Sequence, residues 1–163
     1  MLIIIATTHS QTTWNPPNSG DNILNPSLSK FVGTWIWVNG TDTVKVVLKK
    51  ENVLFSMINI RQDVIVGYHE YKRGNVIIET NLADTNHVFN TKKTSILASN
   101  DNSNDTLTGT IQDITEKKLL NIILVLNVAQ NQLVWQTNNT MGLYNGTNRK
   151  KFTLPRSIIL TKQ

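Results

Sequence analysis

A chain of 163 residues with 16 Lys and Arg against 11 Asp and Glu carries a net charge of +5 and is long enough for one hydrophobic core. It contains no cysteine, which excludes disulfides, thiolate metal sites and thiol catalysis. Apolar residues make up 39% and charged residues 17%, and 21 Asn and 20 Thr fill the gap, a mixture suited to strands joined by many turns.

In chain order, residues 1–10 read as the end of a signal peptide, the alternative being a buried N-terminal strand. The apolar run from Leu2 to Ala6 is followed by the small residues Thr8 and Ser10, with cleavage expected near Ser10. That run is too short to span a membrane, and no later segment reaches that length, so no integral membrane segment is expected. Residues 11–29 are an irregular leader holding Trp14, Pro16, Pro17 and Gly20. It ends in a helical turn that Asn25 caps and Pro26 opens.

Residues 30–163 form a single β domain. Its first strand contains Gly33, Trp35 and Trp37, the two indoles sharing a face. Thr43–Lys49 alternates, Val44, Val46 and Leu48 against Lys45, Val47 and Lys49, and residues 50–62 are expected to be a rim loop. Strands follow at 63–72 and 75–81, joined by the hairpin signal Lys72-Arg73-Gly74-Asn75. Further strands are predicted at 94–99, 106–113, 119–127, 133–137 and 157–162. The reading is all-β: about eight or nine antiparallel strands in meander order, closing into an up-and-down barrel that hides its edges.

Chemistry-bearing residues are sparse. His69 alternates with Gly67 and Tyr71 and has no converging partner, so it reads as a half-exposed strand histidine and not as a metal ligand. Glu70 and Glu79 fall near each other across the hairpin, where two carboxylates read as a solvated face. Neither Ser56 nor Ser95 stands in a nucleophile motif, and the glycines are spread singly. No catalytic residue, metal site or cofactor is expected. The basic residues come in scattered pairs such as Lys49-Lys50 and Lys92-Lys93, without interleaved aromatics, which argues against a nucleic-acid partner. Trp35, Trp37, Tyr68 and Trp135 are the expected walls of an interior that is either filled or holds a small apolar ligand.

The helical turn followed by Phe31-Val32-Gly33-Thr34-Trp35 resembles the opening signature of lipocalins and related calycin barrels. The resemblance implies a lipocalin-like barrel whose Trp35 lies at the closed end behind Gly33. It also implies a basic residue near the last strand covering the indole, and Arg156 matches that role. Through Phe31–Gly40, Asp63–Glu79 and Leu154–Gln163 the chain is also similar to short exported bacterial proteins of the flavobacterial type, for which no activity is established. The combined expectation is a secreted or periplasmic, monomeric, non-catalytic barrel binding a small apolar ligand. The alternative is a protein-binding module or inhibitor that acts through the leader and the loop from Asn138 to Asn148.

Overall fold

The computed structural model describes residues 16–89, 93–100, 105–139 and 152–163. The strands are β1 (Asn22–Ile23), β2 (Gly33–Asn39), β3 (Asp42–Phe55), β4 (Ile60–Arg73), β5 (Val76–Thr80), β6 (Ile96–Ser99), β7 (Thr106–Asp113), β8 (Lys118–Leu126), β9 (Gln132–Asn139) and β10 (Ser157–Lys162). A 3₁₀ turn, Pro26–Phe31, precedes β2, and a shorter one, Leu82–Asp84, follows β5.

The strands pair antiparallel in the order β4–β3–β2–β10–β9–β8–β7–β6, and β6 returns to β4, closing an eight-stranded barrel. Among the described residues, closure gives every strand of the barrel a neighbour on both sides, which is how the predicted meander protects its backbone. Only the middle of β4, Ile65–Gly67, meets β6. Its first residues take the short parallel strand β1, and its last take β5. Asn81 patches the gap between β5 and β6: its side-chain oxygen accepts the His69 N–H at 2.8 Å and its own N–H donates to the His69 carbonyl at 3.0 Å.

Turn chemistry explains the hairpins. Gly74 and Asn75 both have positive φ, +57° and +65°, in the two-residue turn between the paired Arg73 and Val76, so the hairpin read from the sequence forms there. Closure also depends on Gly109, where a Cβ would fall 2.1 Å from the Leu97 carbonyl oxygen. Residues 50–62 are not a rim loop. There β3 and β4 continue as one hairpin to the pair Phe55 and Ile60. On the outer face of this extension Val53, Val64 and Val66 pack with Phe55, Phe89 and Leu97, while Lys50, Asn52 and Leu54 on the other face of β3 are exposed, so the buried positions change face after Leu48 and the simple alternation breaks.

Inside the barrel, Trp35, Trp135, Leu28, Phe31, Leu48, Ile96, Leu107 and Ile111 are fully buried. Among the described residues no helix is long and apolar enough to cross a membrane.

Candidate functional site

The lower end of the barrel is a seal. The 3₁₀ turn places Leu28 and Phe31 in the core, and the Trp35 indole N–H donates to the Phe31 carbonyl at 2.9 Å. Arg156 does not cover this indole. In the register of β10 against β2, Lys162 stands opposite Trp35, and its ammonium lies 5.1 Å from the ring centroid. The two strands are antiparallel, so the basic residue facing the start of β2 must come from the end of β10; Arg156 precedes β10 at the opposite end. Gly33 makes room for this cover. Its φ is +140°, and a Cβ there would sit 3.1 Å from the Lys162 Cε. The lysine also donates to the Lys30 carbonyl at 3.3 Å, tying the last strand to the turn.

Register sorts the four expected wall residues. Trp35, Val46 and His69 stand on one row, and Trp37, Val44 and Tyr71 on the next towards the upper rim, all facing inward. Trp135 is also internal and fully buried, its indole N–H donating to the Pro155 carbonyl at 3.0 Å. Tyr68 is not an interior wall: it stands opposite Val47 on the outer face. It is buried there because the segment 82–89 crosses that face, held by Lys49 Nζ donating to the Thr85 carbonyl and by the Phe89 N–H donating to Glu51. Burial pushes the Tyr68 hydroxyl up from its ordinary pKa, with the Glu51 and Asp84 charges adding to the effect. Trp14 and residues 140–148 of the expected contact loop lie outside the described residues.

His69 is not a half-exposed strand histidine. It is fully buried, with Nε2 2.8 Å from Glu79 Oε1 and Nδ1 2.8 Å from Ser95 Oγ. The other Glu79 oxygen accepts the Thr115 N–H at 2.8 Å. Burial alone would raise the Glu79 pKa, but the hydrogen bonds from His69 and Thr115 outweigh it and hold the carboxyl below its ordinary 4.5. Glu70 and Glu79 are not brought together: a bulge after Tyr71 pairs Glu79 with Tyr71, while Glu70 lies beside Lys72. Ser, His and Glu in hydrogen-bonded sequence have the composition of a nucleophile, base and orienting acid. Here the ring is reversed relative to the usual serine triad, with serine on Nδ1 and the acid on Nε2. The Ser95 hydroxyl also has the Gly67 carbonyl at 3.2 Å and Asn81 Oδ1 at 3.3 Å. Together the three side chains bind β4, β5 and the start of β6. Alternation gave His69 its face, but its partners came from bonds of 10 and 26 residues' separation that no motif signals.

Above this network the interior meets the upper rim. Trp37 and Phe152 pack on the core yet stay partly accessible, and Tyr71, Leu154 and Thr137 are buried beside them. Arg73 lies 5.4 Å over the Tyr71 ring, while Lys118 and Arg156 lie 5.3 Å and 5.2 Å from the Phe152 centroid. Asp113 is buried at this level, its oxygens accepting the N–H groups of Glu116 and Thr153. On the outer face, a groove of about 130 Å³ runs between Phe89, Leu97 and Leu119 over Thr110 and Gln112, and Thr94 and Ser95 also line it. Among the described residues, His, Asp and Glu side chains form no group of three that could hold a metal ion.

Over residues 1–163 the chain matches a family of unknown function, DUF6705. No curated protein and no solved structure is similar enough to match.

Proposed function

For a chain that belongs to DUF6705, a family without an assigned activity, we propose a function from its own geometry: a non-catalytic, exported carrier of a small, largely apolar molecule. The ligand sits in the upper half of the barrel, against Trp37, Tyr71 and Phe152. The observation carrying this reading is the contrast between the two inward tryptophans of β2. Trp35 is fully buried under the lower seal, whereas Trp37, one row nearer the rim, remains accessible among other aromatic rings. Trp35 and Trp135 then act as floor and filler, since both are fully buried with their N–H groups satisfied within the protein. The lipocalin-like opening of the chain supports the same reading, and export rests on the apolar run at residues 2–6.

The non-catalytic part is supported by the burial of Ser95, His69 and Glu79, whose polar atoms are engaged with one another and with backbone. Native mass spectrometry of protein purified from its producing cells tests the carrier reading. A stoichiometric adduct of small-molecule mass, lost on denaturation and on Trp37→Glu substitution, is expected. An adduct unchanged by that substitution refutes the placement, and a bare protein that also takes up no apolar probe refutes the carrier.

One observation favours a second reading, a protein-binding module. Val76, Ile77 and Ile78 on β5 are exposed, as is Leu119 beside the outer groove. Replacing Ile77 and Leu119 by Lys would abolish capture of a partner under that reading and leave small-molecule uptake intact.

A further inference from the structure

We propose that the molecule carried here has an anionic oxyanion head, a carboxylate or phosphate, received at the upper rim by Arg73 and Arg156; the inference rests on the carrier reading above. It begins with strand parity. Arg73 follows the inward Tyr71 by two residues on β4. The Arg156 carbonyl accepts the Thr137 N–H at 2.8 Å, which sets Arg156 opposite the buried Thr137, on the inward side of the approach to β10. Lys118 pairs with the buried Asp113 at the start of β8. Three basic residues therefore occupy inward positions at the last row of three strands, where an apolar lining would otherwise continue.

These cations lie on aromatic rings. Arg73 sits over Tyr71 and donates from Nε to its hydroxyl at 3.1 Å, and Arg156 and Lys118 both lie over Phe152, which brings positive charge beside the aromatic rings of the upper rim. The carboxylates at this level are engaged elsewhere. Asp42 accepts the Gly74 N–H at 2.8 Å, Asp113 accepts the two backbone N–H groups described above, and Glu79 is held by His69 and Thr115. Among the described residues, neither Arg73 nor Arg156 has a carboxylate oxygen within 4.0 Å. An apolar tail on Trp37, Tyr71 and Phe152 with an oxyanion head received by the guanidinium groups of the rim answers both the aromatic rings and the charge, because the planar guanidinium matches carboxylate and phosphate geometry. A cationic head would meet repulsion there, and an alcohol would leave the charges unmet.

The test is isothermal titration of the full-length protein with a matched C12 series: dodecanoate, dodecyl phosphate, dodecanol and dodecyltrimethylammonium. One or both anionic amphiphiles are expected to bind at least roughly tenfold more tightly than dodecanol, with the cationic amphiphile weakest. The stronger of the two anions identifies the head. The Arg73→Gln/Arg156→Gln variant should lose most of that preference while its affinity for dodecanol stays unchanged. Both arginines are exposed, so the fold is expected to survive; Arg156→Gln alone, with a smaller expected loss, serves if the double variant does not fold. Dodecanol binding as tightly as the anions, or a preference that survives the substitutions, overturns the anionic-head proposal and leaves the carrier reading standing. Failure of every amphiphile to bind overturns both.

Discussion

Replacing Trp35 and its two candidate basic partners tests whether strand register, and not nearness in a sequence pattern, decides what covers the lower end. A fully buried indole removes on the order of 150–250 Å² from water, which at about 25 cal/mol per Å² is about 4–6 kcal/mol of gross burial. Trp35→Ala is therefore expected to cost about 3–5 kcal/mol, part of it from the Phe31 carbonyl left without its indole donor. Lys162 is half-buried with its ammonium 5.1 Å from the ring, so Lys162→Ala should cost about 1 kcal/mol through lost cation–π attraction and lost stem packing. The decisive quantity is the coupling. In a double-mutant cycle with Trp35→Leu, Lys162→Ala should show about 0.5–1 kcal/mol of interaction, and Arg156→Ala less than about 0.3 kcal/mol. Urea unfolding followed by far-UV circular dichroism measures all the corners without depending on the fluorophore that is removed. Coupling of Arg156 equal to or larger than that of Lys162 would refute the register argument. A Trp35→Ala loss below about 1 kcal/mol would refute the seal itself.

Other expectations concern buried groups. Glu79 is held below its ordinary pKa of 4.5, so the stability it contributes is complete above that value and is lost as pH falls through its lower folded value. Glu79→Gln should cost about 3 kcal/mol at neutral pH, and the gap to wild type should narrow below pH ~4 in unfolding titrations; a gap independent of pH would contradict the pairing with His69. The Tyr68 hydroxyl is buried without a hydrogen-bond partner among the described residues, so Tyr68→Phe should be neutral or stabilising by up to about 1 kcal/mol in thermal melts. A clear loss of stability would mean that the hydroxyl is satisfied. Gly109→Ala would drive a Cβ into the Leu97 carbonyl and should cost about 3 kcal/mol or more in urea unfolding; a variant as stable as wild type would show that β6 and β7 are not so closely apposed.

The sequence alone determined the local grammar of this protein. Alternation from Thr43 onward marked strands and their two faces, Pro26 marked the start of the turn, although the Asn25 side chain makes no capping bond and reaches Asn100 instead, and Gly74-Asn75 marked a hairpin that forms where expected. These signals are legible because they depend on the conformations that a few consecutive residues can adopt. Tertiary structure alone decided which face is buried, and by what. Tyr68 reads from the sequence as an interior wall, but register sets it on the outer face with Val66, and only the crossing segment that ends at Phe89 makes that outer face a second small core. Residues 50–62 lost their alternation for the same reason. His69 acquired Ser95 and Glu79, and Trp35 acquired Lys162 in place of Arg156, through pairings of strands distant in the chain. A period of two states that a side chain points up or down. It carries no information on which strand lies alongside or at what register, and those two quantities assemble the seal, the buried network and the basic rim.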